Sequence, residues 1–511
     1  MTNKITQFLF LCFLVASLAP AKAQKLKRNQ IESYADAELP KTVENLITFL
    51  SIPNDAQYPA NIKKNIEWLN TEFSNRGFEV ELLPTAGEIP IMLASTSYKK
   101  SEKTVLMYFH ADGQAIDTTK WFQPHPYKPV LKAQDESDNW EIIDWNSLDS
   151  EFNDEWRVFG RSASDAKGPI IMFLSALDAM KAAKFTPDFN LKIIIDFEEE
   201  QGSPNLPAAV TTHKDKLAAD MLVIFDGPPH ITNKPTLTFG ARGISDITLT
   251  TYGPRVPQHS GHYGNYAPNP ALRLSKLLAS MKDEEGRVTI PGFYDGITLD
   301  EETKKILGAV PDDEAMIQKK IGIAATDKVG NNYQESIQYP SLNIRGLQCA
   351  WVGKEARTIV PATATAEIDM RLVPECDPEK LISLIKKHIE SQGFYITSGE
   401  PTEEERMKYP KIVAFKYSVS YAAFRTDFNS EIGNWLSNAY VNLFGEEPVK
   451  IRISGGSIPI SPFVATLDVP AVTVPNVNPD NNQHSPNENL RLGNLKRGVR
   501  TCLAILAQKF D

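Results

Sequence analysis

Cysteine is scarce: four in 511 residues, one of them, Cys12, inside an apolar N-terminal run. The other three, Cys349, Cys376 and Cys502, are an odd number scattered over a long chain, which is no disulfide framework. A chain of this size needs none, because it can bury a full core; one bridge between two of them stays open. Positive charge is also in deficit. The formal net charge is −10, which argues against nucleic acid and an anionic membrane surface and makes cations, metals included, the natural company. Low-complexity tracts are absent, and the composition is that of an ordinary globular protein. After the first residues no apolar run is long enough to span a bilayer. The length suits two or more domains.

The first residues hold the one conspicuous apolar run. Lys4 supplies a positive start, Phe8 to Leu18 an apolar centre, and Ala21-Lys22-Ala23 small residues at the −3 and −1 positions. The pattern predicts a secretory signal over 1–23, cut before Gln24, and a periplasmic or secreted mature protein. The run is short for a membrane span.

Further along, helical periodicity covers Gln30 to Leu50 and Asn61 to Asn75. Thr104 to Phe109, Leu191 to Phe197 and Met221 to Phe225 are nearly continuous apolar runs, as expected of strands covered on both faces. Helical patterns lie between them, which predicts a mainly parallel sheet with helices on both faces. In such α/β folds ligands sit beyond the carboxyl ends of the strands. Those ends carry His110-Ala-Asp112, Glu198-Glu199-Glu200 and Asp226-Gly-Pro.

From about Leu237 the texture changes. Strands at Ile244–Thr250, Ser341–Arg345, Thr363–Leu372 and Phe394–Thr397 alternate with helices at Asn269–Met281 and Asp377–Ser391. A β-α-β-β-α-β order suits an inserted ferredoxin-like α+β layer. The expected division is 24–237, the first catalytic segment; 238–415, the inserted lid and dimerisation layer; and 416–511, the second catalytic segment. The segment 121–156, rich in Trp, Asp, Glu and Asn, has the look of a surface insertion in its latter portion and no assigned chemistry.

Two neighbouring divalent ions need a bridging carboxylate, imidazole and carboxylate ends, and an open position. His110, Asp165, Glu200, Asp226 and His484 offer that set, with Asp165 as the bridge in the glycine-flanked turn 160–168. Glu199, directly before Glu200, is the candidate general base. Asp112 is placed to orient a ligand or the base. Taken singly, each has an ordinary explanation: a capped strand-end histidine, solvated glutamates, a turn aspartate, a surface histidine. The joint placement on the strand ends of one sheet points to metal chemistry.

The motifs His110-Ala-Asp-Gly, Gly160-Arg-Ser-Ala-Ser-Asp-Ala-Lys-Gly-Pro, Glu199-Glu-Gln-Gly-Ser, Phe225-Asp-Gly and His484-Ser-Pro-Asn-Glu resemble those of the di-zinc exopeptidases. That family includes carnosinases, cytosolic non-specific dipeptidase, carboxypeptidase G, aminoacylase, acetylornithine deacetylase and succinyl-diaminopimelate desuccinylase. The chain is most similar to the carnosinase-like branch, over nearly its whole mature length.

The resemblance implies two divalent ions per subunit, zinc in the first instance with manganese or cobalt as alternatives. One would take His110, Asp165 and Asp226, the other Asp165, Glu200 and His484. It also implies Glu199 as base and a cis peptide bond between Asp165 and Ala166. His259 would reach a partner's site in a homodimer. Thr358, Arg371, Gly456 and Ser457 would contact substrate. The activity implied is hydrolysis of dipeptides or short peptides. Removal of an acyl group from an amino acid by the same site is the alternative, and a non-catalytic binding protein is opposed by the intact Glu199 and ligand set. Two departures fall in substrate recognition: Ile453-Ser454 stands before Gly455-Gly456 where the branch has Arg-Glu, and Val419 to Ala423 lacks the histidine of a Gly-His-Gly-Gly stretch.

Overall fold

The computed structural model describes residues 26–98 and 101–510. The expected signal at 1–23 lies outside the described residues. Eight strands form the main sheet in the order Glu79–Leu83, Ile91–Thr96, Asn190–Asp196, Thr104–His110, Met221–Ile224, Ala471–Thr473, Thr236–Thr238 and Val449–Ile451. The middle four run parallel, with His110 opposite Asp196 and Tyr108 opposite Ile224. Antiparallel pairings join Ile91–Thr96 to both its neighbours. From Val105 onward the strand Thr104–His110 is buried, which is why it reads as a continuous apolar run.

One face of the sheet is covered by Lys167–Ala182, Leu492–Ala507 and the N-terminal helices Arg28–Ala37 and Leu39–Leu50. Ile170, Ile171, Phe173 and Leu174 are buried, each worth about 1.5–3 kcal/mol relative to exposure. Gly498 lets the two long helices touch: a Cβ there would stand 2.1 Å from Met172 Sδ. The opposite face packs under Leu206–Thr212 and Ser461–Leu467.

The inserted layer is a five-stranded sheet ordered Ser341–Gln348, Thr363–Leu372, Gly243–Tyr252, Ile412–Tyr421 and Tyr395–Thr397. Along Thr363–Leu372 burial alternates residue by residue, one face meeting the helices Pro270–Ala279 and Pro378–Ser391. The β-α-β-β-α-β order is present, but its last strand is Ile412–Tyr421. Tyr395–Thr397, expected in that place, is a short extra strand parallel to it at the sheet edge. The expected boundary at 415/416 therefore falls inside a strand. The chain enters and leaves the layer through a ladder of Gly240–Ala241 against Phe424–Arg425.

The segment 121–156 contributes Val130–Gln134 and Trp140–Ile143 to a small sheet with Arg157–Phe159 and Asn489–Arg491. Its tip is exposed, yet the sheet ties the Asp165 turn to the C-terminal region of the chain. Cys349, Cys376 and Cys502 are free thiols.

Candidate metal centre

The parallel strands deliver the site. His110 ends one, Glu199 and Glu200 lie in the short helical turn Glu199–Gln201 after its neighbour, and Asp226 follows Met221–Ile224. Asp165 stands at the mouth of the helix Lys167–Ala182, and the Asp165–Ala166 peptide bond is cis. His484 comes from the loop after Ala471–Thr473.

These side chains converge on Asp165. Its Oδ1 lies 3.1 Å from His110 Nε2, and its Oδ2 2.9 Å from His484 Nε2. Asp226 Oδ1 is 3.6 Å from His110 Nε2, and Glu200 Oε2 is 3.2 Å from His484 Nε2. Two sets of three result, His110–Asp165–Asp226 and Asp165–Glu200–His484. In each set the ligand atoms lie within 4.8 Å of one another.

The donor set fits divalent cations. His110 Nε2 is fully buried and, though close to two carboxylates, makes no hydrogen bond of acceptable direction. No Lys or Arg forms an ion pair with Asp165, Glu199, Glu200 or Asp226 among the described residues. The imidazoles take up the excess negative charge. Burial works against charge on His110, yet Asp112, Asp165 and Asp226 raise its pKa well above the ordinary value. Asp165, and then Glu200, raise that of His484 to about 9. Asp165 itself is buried, which would raise its pKa, but the two imidazoles lower it. Burial, reinforced by Asp165, lifts Glu200 to about 7. Burial also pushes Glu199 well above the ordinary carboxyl range; His110 opposes this, and Asp226, Asp165 and Glu200 add to it.

Asp112 sits beneath the centre, fully buried, with Oδ1 3.3 Å from His110 Nδ1 and Oδ2 accepting from the Glu200 N–H at 3.0 Å. It thus fixes the ring of one candidate ligand and the backbone of another. No hydrogen bond or ion pair holds the Glu199 carboxylate among the described residues, which leaves it free beside both sets.

The Asp165 turn is held by Glu488, a residue to which the sequence alone assigns no role. One carboxylate accepts from the backbone N–H groups of Ser162, Ser164 and Asp165 at 2.9–3.0 Å, and from Arg161 Nη1 at 2.8 Å. Burial raises its pKa against the pull of Arg161. Glu488→Ala would strand three N–H groups and the buried Arg161. It is expected to destabilise the metal-free protein by about 3–5 kcal/mol, measured by denaturant unfolding. A change under about 1 kcal/mol would remove Glu488 from this role.

Of the expected substrate residues, Arg371 and Ser457 meet: Arg371 Nη1 donates to Ser457 Oγ at 2.8 Å, joining the inserted layer to the Gly455-Gly456-Ser457 loop. Gly456 O accepts from Ser454 Oγ. His259 pairs with Ile359 in a short antiparallel ladder, and the Thr358 carbonyl accepts from the next N–H, that of Ser260. Among the described residues of the single chain, no hydrogen bond or ion pair joins His259 or Thr358 to the carboxylate cluster, and His259 Nδ1 accepts from Gly261 N–H.

Sequence reasoning missed three neighbours. Gln114 Nε2 donates to Glu200 Oε2 at 2.8 Å. Arg242 lies near Arg371; burial, then the like charge of Arg371, pushes its pKa down to about 10. Tyr421 Oη donates to the Gly202 carbonyl at 2.8 Å.

Residues 129–508 match the family described as Peptidase family M20/M25/M40. The chain belongs to this peptidase family. Its architecture, an α/β sheet with an inserted layer, and the paired candidate metal sites accord with that membership. Among its relatives, the Cys-Gly metallodipeptidase dug1 of Schizosaccharomyces pombe is 25% identical over 504 residues, 93% of this chain and 97% of that one. The Beta-Ala-His dipeptidase of Homo sapiens is 25% identical over 505 residues, 94% and 92% of the two chains. A solved M20 structure, the metallo-carboxypeptidase Sso-CP2 from Sulfolobus solfataricus, is similar with a TM-score of 0.71 and 26% identity, covering 91% of this chain and 98% of that one.

Proposed function

We propose that this chain hydrolyses dipeptides or short peptides, with Glu199 as general base. The observation that carries the reading is the free Glu199 carboxylate beside two three-residue ligand sets that share Asp165. The relatives bearing dipeptidase names over nearly the whole chain support peptides over N-acyl amino acids as substrates.

The two ions, when bound by His110, Asp165 and Asp226 and by Asp165, Glu200 and His484, supply Lewis-acid polarisation and an acidified water. Zinc suits the mixture of imidazole and carboxylate donors, with manganese and cobalt as alternatives. Glu199 removes a proton from the attacking water and returns it to the leaving nitrogen. Asp112 holds the His110 ring through Nδ1 and leaves Nε2, beside Asp165 and Asp226, as the atom that would take the ion. Arg371, Gly456 and Ser457 form the side of the cleft that receives the substrate carboxylate, and Thr358 adds a contact from the inserted layer.

The test is a panel of dipeptides, beginning with Cys-Gly and β-Ala-His, beside N-acyl amino acids, each with chelator and with metal restored. Release of two free amino acids, abolished by chelator, is expected. Release of one amino acid and an organic acid from the acyl substrates alone would overturn the reading.

A homodimer through the inserted layer belongs to this reading. Ile344 and Leu347 on the edge strand, with Trp351 and Val352 after it, are large exposed apolar side chains suited to a second copy. Each His259 then serves the partner's site as an oxyanion donor. His259→Ala is expected to lower kcat about 10²–10³-fold with metal content unchanged. Mixing it with Glu199→Gln should restore activity, since one site of the hybrid has both groups. With exchange verified, no recovery would confine His259 to its own loop.

The N-terminal pattern supports a mature protein outside the cytoplasm. Exported material is expected to begin at Gln24, and N-terminal sequencing that still reads Phe8 to Leu18 would contradict this.

A further inference from the structure

The turn that carries Glu199 and Glu200 is anchored on three sides. From within the main sheet, Asp196 accepts from the Glu198 N–H at 3.0 Å and from the Ser203 hydroxyl and Tyr108. From the next strand end, Asp112 holds the Glu200 N–H and Gln114 the Glu200 carboxylate. The third anchor comes from elsewhere. Tyr421, the last residue of the inserted layer's strand Ile412–Tyr421, reaches across and donates its hydroxyl to the Gly202 carbonyl at 2.8 Å.

The fit at this point is close. Gly202 has φ +82°, and a Cβ built there would stand 2.5 Å from Tyr421 Oη, while the next nearest atom, Tyr421 Cζ, is 3.8 Å away. Gly202 N–H in turn donates to the Glu199 carbonyl at 2.7 Å. The phenol is therefore two hydrogen bonds from the backbone of the proposed base. It is half-buried, and the negative charge of Glu199 is among the causes, after burial, that keep its proton on. Tyr421 also lies in the stretch 419–423 that departs from the pattern of the carnosinase-like branch.

We propose that Tyr421 is a positioning residue for Glu199: its hydroxyl pins Gly202 and so sets where the base carboxylate stands over the substrate. The tie makes the proposed peptidase site depend on how the inserted layer is seated. An uncharged hydroxyl suits the task, because it can donate to a carbonyl without adding a competing charge beside the cluster. The kinetic arm of the test rests on the peptidase reading, and the exchange arm on geometry alone.

The test is Tyr421→Phe in the full, metal-loaded chain. Expected are a fall in kcat of about tenfold with KM little changed, two ions still bound, and an altered acidic limb of the pH–rate profile. Hydrogen–deuterium exchange in a peptide spanning 198–205 should speed up, while the strand Thr104–His110 stays as protected as before. Gly202→Ala should be severe alone and add less on top of Tyr421→Phe, where the clashing oxygen is gone. Unchanged kcat and unchanged exchange would overturn the proposal. So would a fall in kcat matched by metal loss or by a lower melting temperature, which is the mark of a merely structural contact. If the unmodified protein cleaves no dipeptide, the peptidase reading fails, and the exchange result alone then decides for or against the tie.

Discussion

Glu199→Gln is expected to lower kcat by about 10²–10⁴-fold while the protein still binds two metal ions per chain. The carboxylate makes no hydrogen bond or ion pair among the described residues, and neither ligand set includes it. Its replacement removes a proton acceptor and leaves every donor to metal in place. The amide is isosteric, so the turn held by Asp196, Asp112 and Tyr421 should persist. Metal analysis beside turnover checks this. Loss of one ion would exchange the roles of Glu199 and Glu200; activity within about threefold of the unmodified protein would take the base away from Glu199.

Asp165→Ala should do the reverse and lose both ions. One oxygen faces His110 at 3.1 Å and the other His484 at 2.9 Å, so a single side chain completes both sets. Without it each set keeps two ligands, too few for tight binding at micromolar metal. His110 keeps Asp112 and Asp226 and His484 keeps Glu200, but each loses Asp165, one of the carboxylates that raise their pKa values, so both should titrate lower in the variant than in the metal-free parent. NMR titration of the imidazoles and metal analysis on one sample check the two expectations. Two ions retained would end the bridging assignment.

The metal centre was legible because the physics behind it is local. A strand covered on both faces has to be apolar, so Thr104 to Phe109 announces itself, and the first polar residue after it marks the rim where ligands can meet. His110, Glu199, Glu200 and Asp226 follow from that rule. Asp165 and His484 lie in a turn and an Asn-rich loop with no period of their own, so they were marked only by the company of the strand-end residues and by the resemblance. The strand Ile412–Tyr421 was harder. Ile412 to Phe415 is continuously apolar and buried, whereas Phe415 to Tyr421 alternates apolar and polar with 416–420 exposed on both faces, so no single pattern runs its length, and the nearby Phe394 to Thr397 imitates the missing strand. The roles of Tyr421, Arg242 and Glu488 were invisible for another reason. Each gains its meaning from partners far along the chain, as with Tyr421 and Gly202 at 219 residues' separation. No spacing in the sequence encodes such a pair.

Glu488 and the turn it holds lie 323 to 327 residues apart. His484, four residues earlier, completes the second ligand set. During synthesis the Asp165 turn therefore emerges long before its acceptor. Until His484 and Glu488 leave the ribosome, three backbone N–H groups lack their carboxylate and one candidate ion lacks its imidazole. Closing so long a loop is slow compared with forming the local strands and helices. A nascent chain that has finished the inserted layer thus has six of the eight main-sheet strands but no competent centre. The second ligand set, and with it hydrolytic activity, therefore waits on a segment made after the whole inserted layer.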